Sequence, residues 1–523
     1  MTYIREGKIS ERLYQRNIAA AAGELSTLVV LPTGLGKTVI ALLVIDNVLA
    51  NSPGKILFMA PTKPLVEQHF NFLKEKLTLA EGDMALMTGE IPAGVRSRLW
   101  KTSKVIVSTP QVVENDAESG HCDLTGFSLL IYDECHRARG DYSYVRIARM
   151  HSSAGGGGLV LGITASPGSD PSSVEEICNV LGIRHIEVRT EEDPDVEQYV
   201  QDTSIRWVDI ELSEELSALS GELRSMLGER IEKLKNLNAL PRESQGSTKD
   251  LLTAGRELSM KLSAGMKNRA LFDSMRIQSE AIKIAHLIDL AETQTVYALR
   301  KFVEKLISEA DGKASKASSF IVSDEHFGIV QSMLSSIGHE HPKIFKLKEI
   351  VSRQLESVPA SRIMVFTQFR DTAEIVQKEL SQIPGANVVK LIGQGTRGED
   401  RGLRQSQQKE VVSRFSSGGA NVMISTSVGE EGLDITSTDM VIFYEPVPSE
   451  IRLIQRKGRT GRLSSGRVAI LVTRGTKDES FYYSSKRKER MMKMALMALN
   501  EKLSGRSVGF SEREAKQKTI FEF

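Results

Sequence analysis

Residues 31–38 read Leu-Pro-Thr-Gly-Leu-Gly-Lys-Thr, between the apolar run Thr27-Leu28-Val29-Val30 and a helical pattern beginning at Val39. The order is strand, glycine loop, helix start. A helix N-terminus offers unpaired N–H groups and partial positive charge, which suits phosphate. Thr33, Gly34 and Gly36 form the curl of the loop, and the two glycines let backbone approach an anion without a Cβ in the way. Lys37 is expected to reach the outer phosphates of a nucleotide, and the Thr38 hydroxyl to bind Mg2+. Leu31 stands where such loops usually place their first glycine.

Asp133-Glu134-Cys135-His136 follows the run Leu129-Leu130-Ile131-Tyr132. A carboxylate pair at a strand end, facing a phosphate loop, has a defined use. Asp133 can hold Mg2+, and Glu134 can orient and deprotonate the water that attacks a γ-phosphate. His136 is placed to sense that phosphate. Further along, Gln455-Arg456-Lys457-Gly458-Arg459-Thr460-Gly461-Arg462 sets two arginines three apart, on one helix face. The planar guanidinium stabilises spread negative charge on a transferring phosphoryl group. Arg459 and Arg462 are therefore candidate arginine fingers, with Gln455 beside them. A nucleic-acid phosphate patch is the alternative use.

Four more segments sit at predicted strand ends: Ala60–Leu65, Ser108–Gln111, Thr164–Gly168 and Ser425–Asp434. All are rich in hydroxyls, proline or glycine. Hydroxyls and backbone amides bind sugar–phosphate without reading base identity, although Pro and Gly also simply end strands. Pro61, Thr62, Lys63, Thr88, Thr109, Thr367, Gln368 and Thr426 are the candidate nucleic-acid contacts.

These residues need a scaffold. Short apolar runs at Thr27–Leu31, Lys55–Ala60, Val105–Ser108, Leu129–Asp133 and Leu159–Thr164 alternate with helical patterns over residues 1–200. Such strands are buried on both faces, as in a parallel sheet covered by helices. Residues 341–482 repeat the arrangement, with runs at Ile363–Thr367, Val388–Ile392, Val422–Thr426, Met440–Tyr444 and Val468–Val472. Between them, over 201–340, the periodicity becomes helical. Leu216, Leu219, Leu223, Leu227, Ile231 and Leu234 form one stripe, and Ile277, Ala281, Ile284, Ile288 and Ala291 another. Pro241–Thr248 and Asp311–Ser319 read as breaks between helices. A basic helix and tail follow over 483–523.

The 523 residues are too many for one core. Charge is balanced, 68 basic against 67 acidic residues, so global charge excludes nothing. Residues 449–493 carry 13 Lys/Arg against 4 Asp/Glu, beside the arginine motif. Three scattered cysteines without a Cys-x-x-Cys argue against a disulfide scaffold or zinc site, and fit a reducing, intracellular compartment. His339 and His341 lack the further ligands a metal site needs. No signal peptide or long apolar span is present, so a soluble, cytoplasmic, nucleoid-associated protein is expected.

In order and spacing, the segments resemble the motif series of superfamily 2 helicases across essentially the whole chain. The narrower resemblance is to archaeal Hef and its eukaryotic relative FANCM. It is carried by the residue 31–38 loop, Ala60-Pro-Thr-Lys-Pro-Leu-Val, Thr426-Ser-Val-Gly-Glu-Glu-Gly-Leu-Asp and Phe443-Tyr-Glu-Pro-Val-Pro-Ser. The RIG-I and Dicer branch is similar and shares Asp-Glu-Cys-His. The resemblance implies an α/β fold of two RecA-like parallel-sheet domains with an all-helical insert between them. It implies that ATP and Mg2+ are used, and that the substrate is forked or four-way DNA. Gln15 looks like the adenine-contacting glutamine, Thr164 and Ser166 like the motif coupling hydrolysis to movement, and Asp434 part of a loop touching nucleotide and strand. Many Hef proteins continue into a nuclease with a Glu-Arg-Lys…Asp centre. Here Glu489-Arg490 is followed by Met491, so nuclease activity is not expected, whether the chain is a helicase-only version or a truncation. The tail, with Gln517, Ile520 and Phe523, resembles a sliding-clamp-binding peptide.

Three functions are weighed. They are an ATP-driven motor on branched DNA, a duplex-RNA-dependent ATPase, and a scaffold that binds ATP without turnover. Within the first, Lys261, Lys267, Arg269, Arg276 and Lys283 of the insert are expected to touch duplex phosphate.

Overall fold

The computed structural model describes residues 2–168, 170–199, 203–395, 402–426, 429, 438–447 and 466–503. Strands are β1 Thr27–Val30, β2 Lys55–Met59, β3 Met84–Met87, β4 Val105–Ser108, β5 Phe127–Asp133, β6 Leu159–Thr164 and β7 His185–Val188 in the first lobe. They form one sheet in the order β3-β4-β2-β5-β6-β1-β7, and every pairing is parallel. The second sheet holds β8 Thr203–Ile210, β9 Ile363–Phe366, β10 Val388–Leu391, β11 Val422–Ser425, β12 Met440–Phe443 and β13 Gly466–Thr473. Its order is β10-β11-β9-β12-β13-β8, again parallel throughout.

Successive side chains on a strand point to opposite faces. In β1, Leu28 and Val30 enter one apolar cluster and Val29 the other. In β9, Ile363 and Val365 face one side, Met364 and Phe366 the other. Both faces of each sheet are thus covered, which is why these strands are apolar without alternation.

Helices Glu214–Asn236, Thr248–Ser263, Arg269–Thr293, Val296–Asp311, Lys316–Val322 and Glu325–Ser336 form the insert. Both stripes read from the sequence are packing faces. Leu216, Leu219, Leu223, Ile284, Ile288 and Ala291 share one core, and Ile231, Leu234, Ile277 and Ala281 share a smaller one.

Three strands, β3, β7 and β8, escaped the sequence reading, and each lies at a sheet edge. The most consequential is β8. Thr203–Ile210 falls in the segment assigned to the insert, yet it pairs with β13 along eight residues. Its alternating Thr-Ser-Ile-Arg-Trp-Val-Asp-Ile pattern is that of a half-exposed edge strand. The chain therefore visits the second sheet before making the insert. It also returns: helix Lys477–Leu503 carries Met492 and Leu496 into the first lobe's core, with Val174, Ile177, Leu181 and Ile186. The insert and the C-terminal helix are thus both rooted in the second lobe.

Candidate active site

Parallel strands put all their C-terminal ends on one edge, where ligands gather in open sheets. The register makes this concrete. Val30 lies beside Thr164, Asp133 beside Ile163, and Met59 beside both Ser108 and Tyr132. The glycine loop, the acidic pair, and the segments after β2, β4 and β6 therefore share one rim.

Gly34 and Gly36 take φ of 87° and 83°, the left-handed region that a Cβ disfavours. At Gly36 a side chain would also displace a neighbour. A Cβ there would meet Gln15 Nε2 at 2.4 Å. Gln15 is buried and props the loop: its Nε2 donates to the Leu35 carbonyl at 3.1 Å, and its Oε1 accepts from the Arg12 N–H at 3.0 Å. The Tyr14 hydroxyl donates to the same carbonyl at 2.6 Å. Helix Lys37–Asn51 then starts with no side-chain cap at Gly36. Its first turn faces the loop, with Thr33 and Thr38 partly exposed alongside. Lys37 Nζ donates to the Leu31 carbonyl at 3.0 Å, folded across the space its loop encloses.

Asp133 ends β5, and its Oδ2 is hydrogen-bonded to His69 Nε2 at 2.8 Å, both side chains buried. The Tyr144 hydroxyl donates to the Asp133 carbonyl at 2.7 Å and fixes the backbone. Glu134 sits at φ 49°, an uncommon conformation for a residue with a Cβ. Its Oε2 is buried with no hydrogen-bond partner among the described residues, 3.3 Å from His136 Nδ1. His136 Nδ1 is 3.1 Å from Thr164 Oγ1, which accepts the Ser166 N–H at 3.2 Å. The Ser166 hydroxyl reaches Met492 Sδ at 2.9 Å, on the C-terminal helix. Cys135 beside them is inert: burial, then the Glu134 charge, pushes its thiol well above the ordinary range. All three cysteines are buried and reduced.

These groups fit a nucleotide with Mg2+. Two glycines of the cradle hold left-handed backbone, the helix end has no side-chain cap, and a buried Glu134 oxygen accepts no hydrogen bond among the described residues. Among the described residues, no three His, Cys, Asp or Glu side chains converge as a protein-only metal site. A Mg2+ ion would thus draw on Thr38, Asp133 and phosphate oxygens. His341 is also accounted for: Nε2 donates to the Glu292 carbonyl at 3.1 Å, and Nδ1 accepts the Lys343 N–H at 3.2 Å.

On the same rim, Pro61 is buried and the Thr62 hydroxyl lacks a hydrogen-bond partner among the described residues. Lys63 pairs with Glu90 at 2.5 Å and Glu67 at 3.6 Å. Glu67 also meets Lys409 of the second lobe at 2.9 Å. Thr109 caps helix Pro110–Glu118 by position, and Thr88 is buried after β3. In the second lobe, Thr367 and Thr426 are buried at the ends of β9 and β11, and Gln368 is exposed. Gln455, Arg459, Arg462 and Asp434 lie outside the described residues, as do Gln517, Ile520 and Phe523.

In the insert the expected cations divide. Lys283 is held by Glu309, Ser315 and Ser318, and Arg276 by Glu280 with its guanidinium over Phe320. Both are structural. Lys261, Lys267 and Arg269 are exposed around the turn between two helices, beside exposed Met260, Met266 and Phe272.

His69 was not legible as a site residue. It lies 64 positions from Asp133, and only its place in Ala60–Phe70, just after a strand end, hinted at it.

Known proteins match along the chain. The DEAD/DEAH box helicase family matches residues 12–174, and the helicase conserved C-terminal domain residues 343–464. A family described as "Putative ATP-dependent RNA helicase, helical bundle" matches residues 216–337. The crystal structure of the Pyrococcus furiosus Hef helicase domain superposes with a TM-score of 0.70 at 42% identity, covering 93% of this chain and all of that one. A Methanocaldococcus jannaschii protein named "Putative ATP-dependent RNA helicase" is 40% identical, over 94% of this chain and 61% of its own. The Schizosaccharomyces pombe protein named "Putative ATP-dependent DNA helicase fml2" is 32% identical over 92% of this chain and 63% of its own. The Aspergillus fumigatus DNA helicase mph1 is 34% identical over 92% and 46%. The chain thus spans about half to under two thirds of the curated relatives' length. Among the described residues no helix is long and apolar enough to cross a membrane.

Proposed function

The chain belongs to the Hef family of superfamily 2 helicases, and from that premise we propose that it is an ATP-driven motor acting on branched DNA in replication-fork repair. The observation that carries the reading is the shared rim. A glycine cradle, an acidic pair with a buried oxygen that accepts no hydrogen bond among the described residues, and a chain of hydroxyls and amides line one sheet edge.

Lys37 exchanges the Leu31 carbonyl for outer phosphate oxygens, and the uncapped helix end adds N–H groups. Gln15 holds the loop and contacts adenine. Thr38 and Asp133 hold Mg2+, which when bound neutralises phosphate charge. Glu134 takes the proton of the attacking water. Arg459 and Arg462, with Gln455, act from the second lobe on the same phosphates, and Asp434 joins them. The His136–Thr164–Ser166 line passes the state of the site to the C-terminal helix. Loss of the γ-phosphate loosens the cleft, and the lobes shift relative to each other.

Thr62, Lys63, Thr109 and Gln368 touch the strand through its backbone; Pro61, Thr88, Thr367 and Thr426, expected to do the same, are buried and instead shape the loops that present them. Little sequence preference and a steep salt dependence follow. Lys63 must leave Glu90 to do so. Lys261, Lys267 and Arg269 at the insert's turn meet the duplex. The tail residues Gln517, Ile520 and Phe523 dock on a sliding clamp, and deleting 517–523 is expected to abolish clamp binding in a pull-down.

The test is ATP turnover on single-stranded, duplex, forked and four-way DNA, with duplex RNA as control. Forked DNA is expected to stimulate most. Stronger stimulation by duplex RNA would favour an RNA-dependent motor, a reading supported by the RNA helicase names of two matches. Binding without turnover would favour a scaffold. Reversing the charge of Lys261, Lys267 and Arg269 together is expected to lower fork preference; no change rejects the insert's role.

A further inference from the structure

The insert joins the second lobe through a buried polar bend. Helix Arg269–Thr293 stops, Gln294 is extended, and the next helix starts at Val296. Thr293, Gln294 and Thr295 are only 6%, 2% and 0% exposed. Gln294 divides its amide between two parts of the lobe. Its Nε2 donates to Glu445 Oε2 at 3.4 Å and to the neighbouring Thr293 hydroxyl at 3.3 Å, and its Oε1 accepts from the Thr372 hydroxyl at 2.9 Å.

Glu445, 2% exposed just past β12, also holds the strand-contact loop. Its Oε1 accepts the Gln368 N–H at 2.6 Å, and its Oε2 the Thr367 hydroxyl at 3.3 Å. A second set of bonds grips the same bend. Fully buried Lys343 donates from Nζ to the Thr293 carbonyl at 3.1 Å and to Asp478 Oδ2 at 2.5 Å. Asp478 lies in the first turn of the helix that carries Met492 to Ser166.

A buried carboxylate is costly unless its oxygens are satisfied. An apolar joint of equal volume would hold the bend as firmly. What the polar joint adds is direction: its hydrogen bonds set the angle of the bend against one loop. Helix Arg269–Thr293 is 25 residues long, about 37 Å at 1.5 Å per residue. Its outer end is the exposed turn with Met266, Lys267 and Arg269, and its inner end is the joint. A displacement at the turn is thus delivered to Gln294.

We propose that Gln294 and Glu445 are positioning residues that couple duplex contact by the insert to the strand-contact loop Thr367–Gln368, so that branch-specific stimulation of hydrolysis runs through this hydrogen bond. The inference rests on the reading that the insert touches duplex DNA.

The test uses the full chain with Gln294→Met, which keeps volume and removes all three amide hydrogen bonds. ATP turnover is measured without DNA, with single-stranded DNA and with forked DNA, and fork affinity by anisotropy. The DNA-free rate and the fork Kd are expected to stay within about twofold, while the fork-to-single-strand stimulation ratio falls about fivefold or more. The reciprocal exchange, Gln294→Glu with Glu445→Gln, re-forms the bond with donor and acceptor reversed and is expected to recover the ratio. A merely structural role would not produce that split between affinity and rate. A wild-type fork preference kept intact by Gln294→Met overturns the coupling alone, as does an exchange that folds without recovery where Gln294→Met itself does not fold. A wild-type ratio near one overturns the branched-DNA reading and the coupling with it.

Discussion

His69 Nε2 lies 2.8 Å from Asp133 Oδ2, and both side chains are buried between β2, β5 and helix Lys63–Lys76. The ring of Phe58 packs on His69 with centroids 4.6 Å apart, which limits its rotation. The helix that holds His69 starts at Lys63, a proposed strand contact. One side chain thus ties the nucleic-acid rim to the proposed Mg2+ ligand, as partners of ligating groups commonly orient them.

His69→Ala is therefore expected to weaken Mg2+-dependent nucleotide binding about tenfold or more. Nucleotide affinity in EDTA should stay unchanged, and His69→Gln, which keeps a donor, should recover part of the loss. Calorimetric titration with and without Mg2+ measures both. Equal losses in the two conditions would mean that His69 only supports the fold.

Lys37→Ala is expected to abolish nucleic-acid-stimulated ATP hydrolysis with the fold intact by circular dichroism. Glu134→Gln should still bind ATP and stop turnover, because the amide cannot take the proton of the attacking water. Wild-type turnover in either variant would show that the site is misassigned.

Gly36→Ala tests the cradle. The added Cβ enters at φ 83° and meets Gln15 Nε2 at 2.4 Å, so a loss above about 1 kcal/mol is expected. Nucleotide affinity should fall with it. Gly94, where a Cβ meets nothing within 4 Å, is the control. Gly94→Ala lies in helix Ala93–Thr102 and should be neutral or slightly stabilising. Matching thermal shifts for the two variants would refute the steric account.

His341 predicts a pH dependence. Burial first, and the neighbouring Lys343 charge second, push its imidazole down to about 3, against an accepting Glu292 carbonyl that raises it. A folded value below the unfolded one means that the unfolded state binds the extra proton. Stability is then full above the unfolded value of about 6.5 and falls as pH drops toward 3. At pH 5 the cost from this residue is about 2 kcal/mol. His341→Asn should flatten the decline in hydrogen-exchange protection of the bend between pH 7 and 5; an unchanged slope would refute the assignment.

Much of the rim was legible in the sequence because each part is local. A glycine loop, an acidic pair and hydroxyl-rich turns at the ends of apolar runs carry their meaning within a few residues of one strand. The helical stripes of the insert were equally readable, since their period of about 3.6 is a local property. Charge was less informative. Lys283 and Arg276 looked like phosphate contacts but are tied to Glu309 and Glu280, because a lysine or arginine does not announce its partner.

Taken alone, then, the order of residues determined two parallel-sheet lobes, a helical insert and which strand ends bear chemistry. Tertiary structure alone decided that His69 meets Asp133, that Thr203–Ile210 completes the second sheet, that Met492 reaches Ser166, and that Gln294 reaches Glu445. The physical reason is separation. These partners lie from 64 to 326 positions apart, so no periodicity or short spacing links them. They meet only because packing the apolar faces of sheets and helices brings their carriers together.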